Sequence, residues 1–199
     1  MFAASPRTSS AALAPVALAA ALAAAVLALP ASASAAAKPC LLGKWKLTKY
    51  TLDAKGPGLS TKARGGQGIG LTVAKKSVTY DFNGSRPLAV KGISDGEKYD
   101  MKTTYSKRLM LESTLKGARK GSLALKPKSA KGGARAAISR NGAFVMSYSL
   151  VQNVYREGSW EPVAPLRSSY TCNAKTVTFR TTSTDDSGTG TIVTTYRRR

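Results

Sequence analysis

The side chains able to do acid–base or covalent chemistry in this sequence are few, and their types restrict the reactions open to it. There is no histidine, and ten carboxylates stand against 31 lysines and arginines. Without an imidazole, Ser-His-Asp triads, Cys-His dyads and ordinary histidine-bearing zinc sites are excluded. Paired carboxylates remain as a source of general acid–base chemistry. The acids are Asp53, Asp81, Asp95, Glu97, Asp100, Glu112, Glu157, Glu161, Asp185 and Asp186. Asp81 and Asp100 alternate with aromatic residues and so fall on the opposite, solvent-facing side of their strands. Asp95 and Glu97 flank a turn glycine. Asp185-Asp186 sits in a Ser/Thr/Gly loop with too few regularly spaced oxygens for a calcium site. All ten read as structural: no catalytic residue is assigned, no enzymatic activity is expected, and no metal or cofactor is called for. Gly65-Gly66-Gln67-Gly68-Ile69-Gly70 is glycine-rich, but no helix follows it as a phosphate-binding loop requires.

Cys40 and Cys172 are the two cysteines. A nucleophilic Cys172 would need a base or a cation to lower its pKa, and no histidine can serve. In an exported chain two cysteines form a disulfide, which here encloses nearly the whole domain. Export is read from the first 37 residues. Met1–Ser10 carries Arg7 as its one charge, Ala11–Leu29 is an uncharged Ala/Leu/Val run, and Pro30 is followed by Ala31-Ser32-Ala33-Ser34-Ala35-Ala36-Ala37. A charged start, apolar middle and small-residue end is the layout of a secretory signal peptide. Residues 1–37 are therefore expected to be cleaved, leaving one domain over residues 38–199, with no transmembrane span, secreted or associated with the cell wall.

The domain reads as β throughout, with alternating apolar and polar residues between turn signals. Gly43–Leu52 is the first strand, and Asp53–Gln67 reads as a loop. Ile69–Val73 and Ser77–Phe82 form a hairpin around Ala74-Lys75-Lys76. Asn83-Gly84, Ser94-Asp95-Gly96 and Asn141-Gly142 are turns. Strands follow at Leu88–Ile93, Lys98–Ser106, Leu109–Glu112, Ser122–Leu125, Ala134–Arg140, Ala143–Val151, Ser168–Cys172, Lys175–Thr181 and Gly190–Tyr196. No helical periodicity is evident. About eight to ten strands predict an antiparallel β-barrel, with a β-sandwich as the alternative.

Certain islands carry a resemblance. Cys40-Leu41-Leu42-Gly43-Lys44-Trp45 opens the first strand, Gly65-Gly66-Gln67-Gly68 precedes Leu71-Thr72-Val73, and Tyr170-Thr171-Cys172 comes late. The arrangement resembles small secreted lipocalin-like proteins of actinobacteria, and Gly43-x-Trp45 resembles the first-strand signature of lipocalins. The resemblance implies a lipocalin-like barrel with Trp45 at its closed end and an arginine from a late strand packed across it; Arg180 is the candidate.

Two features could bind a partner. One is an aromatic and methionine set whose alternation puts it inside a barrel: Tyr80, Phe82, Tyr99, Met101, Tyr105, Phe144, Met146 and Tyr148. Such faces fill an eight-strand barrel or line a small pocket. The other is charge. The formal net charge is +21, and the acid-free stretch Ser113–Arg156 collects Lys116, Arg119, Lys120, Lys126, Lys128, Lys131, Arg135 and Arg140. Such a patch favours anionic partners, held by salt-sensitive attraction. Aromatics do not interleave with it, which disfavours nucleic acid. The expected function is therefore a secreted, non-enzymatic barrel binding a small apolar or amphipathic molecule, or acting at the envelope. The alternative is a basic protein adhering to anionic cell-wall polymer.

Overall fold

Period-two alternation sends every second side chain to one face, and a sheet with one apolar face must bury it. In the computed structural model, which describes residues 39–157, 161–186 and 188–199, this is achieved by curling the sheet until it closes. The signal peptide expected over residues 1–37 lies outside the described residues. The strands are β1 (Gly43–Gly56), β2 (Leu59–Gly65), β3 (Gly70–Val73), β4 (Ser77–Asp81), β5 (Leu88–Ser94), β6 (Glu97–Ser106), β7 (Arg108–Lys116), β8 (Lys120–Leu125), β9 (Lys131–Gly132), β10 (Arg135–Arg140), β11 (Ala143–Ser149), β12 (Arg167–Cys172), β13 (Thr176–Asp185) and β14 (Gly188–Arg198). A single α-helix among the described residues, α1 (Leu150–Glu157), follows β11, and a 3-10 turn covers Pro127–Ser129.

All pairings are antiparallel. The closed ring has eight strands in the order β1-β14-β13-β12-β8-β7-β4-β3, with β3 returning to β1. Closure uses only the first part of β1, where Gly43–Lys46 pairs with Gly70–Val73. Farther along, Thr51–Gly56 pairs instead with β2. From there the sheet continues through β5, β6 and β10 to β11, a free edge. The molecule is thus an antiparallel β-barrel closed at one end, with one wall prolonged past the ring as a flared sheet.

The change of partner along β1 is built by the glycine segment. Gly65, Gly66 and Gly68 have φ of 123°, 68° and 98°, a region side chains rarely adopt. They form a bulge that separates β2 from β3, locked onto β1 by Leu47 N–H to Ile69 O (2.8 Å) and Gly68 N–H to Leu47 O (3.0 Å). The register of β1 on β14 slips at the same level, between Leu47 and Lys49. That slip turns Tyr50 and Leu52 inward with Trp45 and Leu47, and all four are buried. Strict alternation from Trp45 would put Tyr50 outside.

Inside the ring the space is taken by the protein's own side chains: Trp45, Leu47, Leu71, Val78, Tyr80, Phe82, Leu109, Leu111, Val177, Phe179, Ile192 and Tyr196 are all buried. Tyr80 and Phe82 lie parallel with centroids 6.1 Å apart, Phe82 tilts against Tyr105 at 5.4 Å, and Phe179 meets Tyr196 edge-on at 5.8 Å. The disulfide Cys40–Cys172 ties the start of the barrel to the end of β12.

Three sequence expectations change. Asp53–Gln67 is not a loop: β1 runs on to Gly56 and β2 occupies Leu59–Gly65. This hairpin stands at the mouth, where little covers it, so its apolar alternation fades although its hydrogen-bond ladder persists. Leu109–Glu112 is the middle of a nine-residue strand. The strand expected over Ala143–Val151 ends at Ser149, where α1 begins. The Ser149 hydroxyl accepts the Gln152 N–H (3.3 Å) and caps the helix. Leu150 continues the alternation of β11, which is why this short helix is hidden in the pattern.

Candidate binding site at the flared mouth

Strand register arranges the inner face of the flared sheet in rows. Thr61, Gly92 and Tyr99 are aligned, then Ala63, Val90, Met101 and Arg140, then Leu88, Thr103 and Ile138 with Met146, then Tyr105, Ala136 and Tyr148. The last row belongs to the packed interior: Tyr105 and Ala136 are buried. Toward the first row burial falls away, because the wall that would face it is missing. β12 is six residues long and reaches only β8 and β13. An apolar surface that starts as barrel core therefore emerges at the mouth half open to solvent.

Two hollows lie along it. One, of about 500 Å³, is lined by Ser94, Asp95, Glu97, Tyr99, Met101 and Arg140. The other, of about 420 Å³, lies between β11 and α1 and is lined by Met146, Tyr148, Ser149, Gln152, Asn153 and Arg156. Tyr99 is fixed by a hydroxyl-to-hydroxyl hydrogen bond with Thr61. Its ring lies over Gly92, where a Cβ would collide with it.

Beneath the second hollow sits a buried acid. Glu161 is 1 % exposed, and its two carboxylate oxygens accept from Tyr105 Oη and Tyr148 Oη, each at 3.2 Å. Tyr50 Oη donates to the neighbouring carbonyl of Pro162 (3.4 Å). Val163 and Ala164 are also buried, so the segment from Glu161 to Ala164 is tucked into the mouth by its own apolar contacts and by the tyrosines. Burial raises the Glu161 pKa above the ordinary carboxylate range, while hydrogen bonds from Tyr105, Tyr148, Asn153 and the Val163 N–H oppose that rise. Burial also raises Tyr105 and Tyr148, with the Glu161 charge adding to it. No second carboxylate joins Glu161 in a metal-holding cluster among the described residues.

The aromatic set expected inside the barrel divides. Tyr80, Phe82 and Tyr105 are packed core. Tyr99, Met101 and Tyr148 lie part-buried on the flare. Phe144 and Met146 are not interior: they are 71 % and 48 % exposed. Met146 shares the face of Tyr148, with no strand opposite; a bulge at Val145 pairs Phe144 with Ser139 and turns it to the outer face, against simple alternation. At the closed end, Arg180 does not pack on Trp45; it is exposed on the outer face of β13. Arg198 takes that place, with its guanidinium 4.1 Å from the Trp45 ring centre. It also donates to the carbonyls of Ala174 (2.8 Å), Leu42 (3.1 Å) and Cys40 (2.7 Å). Trp45 itself donates Nε1–H to Leu41 O (2.8 Å).

Nor do the eight cations of the basic run form one patch. Lys116, Arg119 and Lys120 surround the β7–β8 turn at the closed end. Lys126 pairs with Glu112 (2.9 Å) and Lys128 lies 5.0 Å over the Tyr155 ring. Lys131 pairs beside Met110 in mid-barrel, Arg135 reaches Ser147 (3.2 Å), and Arg140 stands in the first hollow of the mouth. An antiparallel chain passes from one end of a barrel to the other, so neighbours in sequence are dispersed. Sequence reasoning missed Glu161, taken as structural with the other acids; Tyr50, hidden by the bulge; and Gln152 and Asn153, which need the helix to face the sheet, and it took Arg156 only as the end of the basic run.

Fold and site together define a closed eight-stranded antiparallel β-barrel with an open, partly apolar mouth. Comparison with protein-family models, with curated proteins and with solved structures finds no match to this chain.

Proposed function

We propose that this is a secreted, non-enzymatic, lipocalin-like binding protein that holds a small amphipathic molecule at the mouth of its barrel, not within the closed ring. The observation that carries the reading is the unopposed inner face of the flare. There Met101, Ile138 and Met146 continue the core outward, with Arg140 and Arg156 at the two hollows. Soluble proteins rarely leave such a surface uncovered without a use for it. An apolar body lying along β10 and β11 would cover it, and an anionic head would meet Arg156, Gln152 and Asn153. The disulfide suits an oxidising compartment outside the cell, in keeping with the leader-like N-terminus.

Titration of the purified protein with laurate, followed by displacement of 1-anilinonaphthalene-8-sulfonate, tests this. Saturable binding at one site is expected, weakened about tenfold in the Met101→Ser, Met146→Ser double variant, equivalent to about 1.4 kcal/mol of lost apolar contact. Arg156→Gln should weaken laurate more than dodecanol. Binding that leaves both variants unaffected, or no saturable binding, rules the mouth out.

A further inference from the structure

Arg180, displaced from Trp45, belongs to a feature on the opposite side of the barrel wall. On the outer face of β8, β12 and β13, register sets Lys116 beside Ser122, Ser122 beside Ser169 and Ser169 beside Arg180. One level farther from the closed end, Arg167 stands beside Ala124. These residues line an open trough of about 630 Å³ together with Thr181 and Thr182. Three cations project into it, with hydroxyl side chains between them and no carboxylate in its lining. Among the described residues, the ion pairs of Asp81, Asp100 and Glu112 involve none of these three cations.

The lining reaches across β7, β8, β12 and β13 over two adjacent levels, and toward the closed end it meets further cations. Lys120 pairs with Thr171 at its foot. The β7–β8 turn carrying Arg119 is held against the disulfide by Cys40 N–H to Ala118 O (3.0 Å) and Cys172 N–H to Arg119 O (2.8 Å). Lys175, in the next turn, is fixed by Arg198 N–H to its carbonyl (2.9 Å). Four acids lie elsewhere: Asp95, Glu97, Asp185 and Asp186 are in or beside turns at the opposite, flared end. The trough and the closed end beside it are thus remote from these four acids, which the linear sequence conceals.

We infer that this trough, continued by Arg119, Lys120 and Lys175, is a docking groove for a linear polyanion with closely repeated phosphate or carboxylate groups, of the kind found in envelope polymers. A cationic strip on a convex wall suits a linear chain and not a flat lipid surface. The large exposed apolar side chains Ile93, Met110, Phe144, Val145, Met146 and Tyr155 all lie outside it. No aromatic ring lines it to stack on bases, so attraction is by charge and hydroxyl hydrogen bonds. The inference does not depend on the ligand assigned to the mouth.

The test compares two triple variants that remove equal charge from exposed positions: Lys116→Gln, Arg167→Gln, Arg180→Gln in the trough, and Lys62→Gln, Lys98→Gln, Lys102→Gln on the flare. Affinity for long-chain polyphosphate is measured against salt, with equal melting temperatures confirming that both variants fold. The trough variant should bind at least tenfold more weakly at 0.1 M salt, and its log–log salt slope should fall by about 2, as expected for losing three phosphate contacts on a flexible chain. The flare variant should change less than threefold. Equal losses in both would reduce the effect to net charge and overturn the groove. Tighter binding to single-stranded DNA than to polyphosphate of equal charge, or to anionic vesicles, would overturn the polymer assignment in favour of those partners.

Discussion

Glu161 shows how one side chain couples stability to pH. Its carboxyl is buried, so the folded state raises its pKa above the value of about 4.3 that it has when unfolded. The folded protein then binds the proton more tightly than the unfolded chain does. This group's contribution is fully present below the unfolded pKa and is lost as pH rises through the raised one. Glu161→Gln keeps the shape but removes the charge. The melting temperature of the variant relative to the parent should therefore rise as pH increases from 4 to 8. A constant difference across that range would show that the acid titrates normally. Arg198 gives a second test at this scale. Replacing it with Ala removes the stacking on Trp45 and three hydrogen bonds to backbone carbonyls, and should cost about 2 kcal/mol in chemical denaturation. Arg180→Ala should stay within about 0.5 kcal/mol, since its side chain supports nothing in the fold.

Among the elements, α1 and the β2–β3 bulge decide the shape of the mouth. The helix is only eight residues long, too short to be stable alone, and it depends on packing and its cap. Buried Leu150 and Val154 supply the packing, and Ser149 supplies the cap. Ser149→Ala should destabilise the protein by about 1 kcal/mol, and hydrogen exchange should localise faster opening to α1. The bulge is equally specific. A Cβ at Gly65 would overlap the Pro87 carbonyl, in a backbone region that already disfavours side chains. The Gly-Gly-x-Gly segment noted in the sequence thus reports a bend in the barrel wall, not a phosphate cradle. Strand alternation predicted most of these elements well, including the Asn141-Gly142 turn, where both residues have positive φ. It failed where a strand's inner face carries few apolar side chains, as in β2, and where a helix continued a strand's apolar pattern, as in α1.

For the whole molecule, the disulfide spans 132 residues and closes nearly the entire chain. In the chain-entropy account, a loop of this length stabilises by about 4–5 kcal/mol. A Cys40→Ser, Cys172→Ser variant should lose about that much, read as a lower denaturation midpoint with an altered m-value if the unfolded state expands. An unchanged midpoint would mean that the barrel's hydrogen-bonded closure alone holds the ends together. The all-β class, the ring-closing cysteine pair, the inward aromatic faces and the excess of positive charge were determined by the sequence itself, because side-chain alternation, turn chemistry and composition are local properties. Which arginine covers Trp45, which aromatics stay exposed, how the cations are distributed and where Glu161 lies were decided only by the tertiary structure. Each depends on which strands become neighbours and on where the opposite wall stops, and antiparallel pairing brings together residues a hundred or more positions apart.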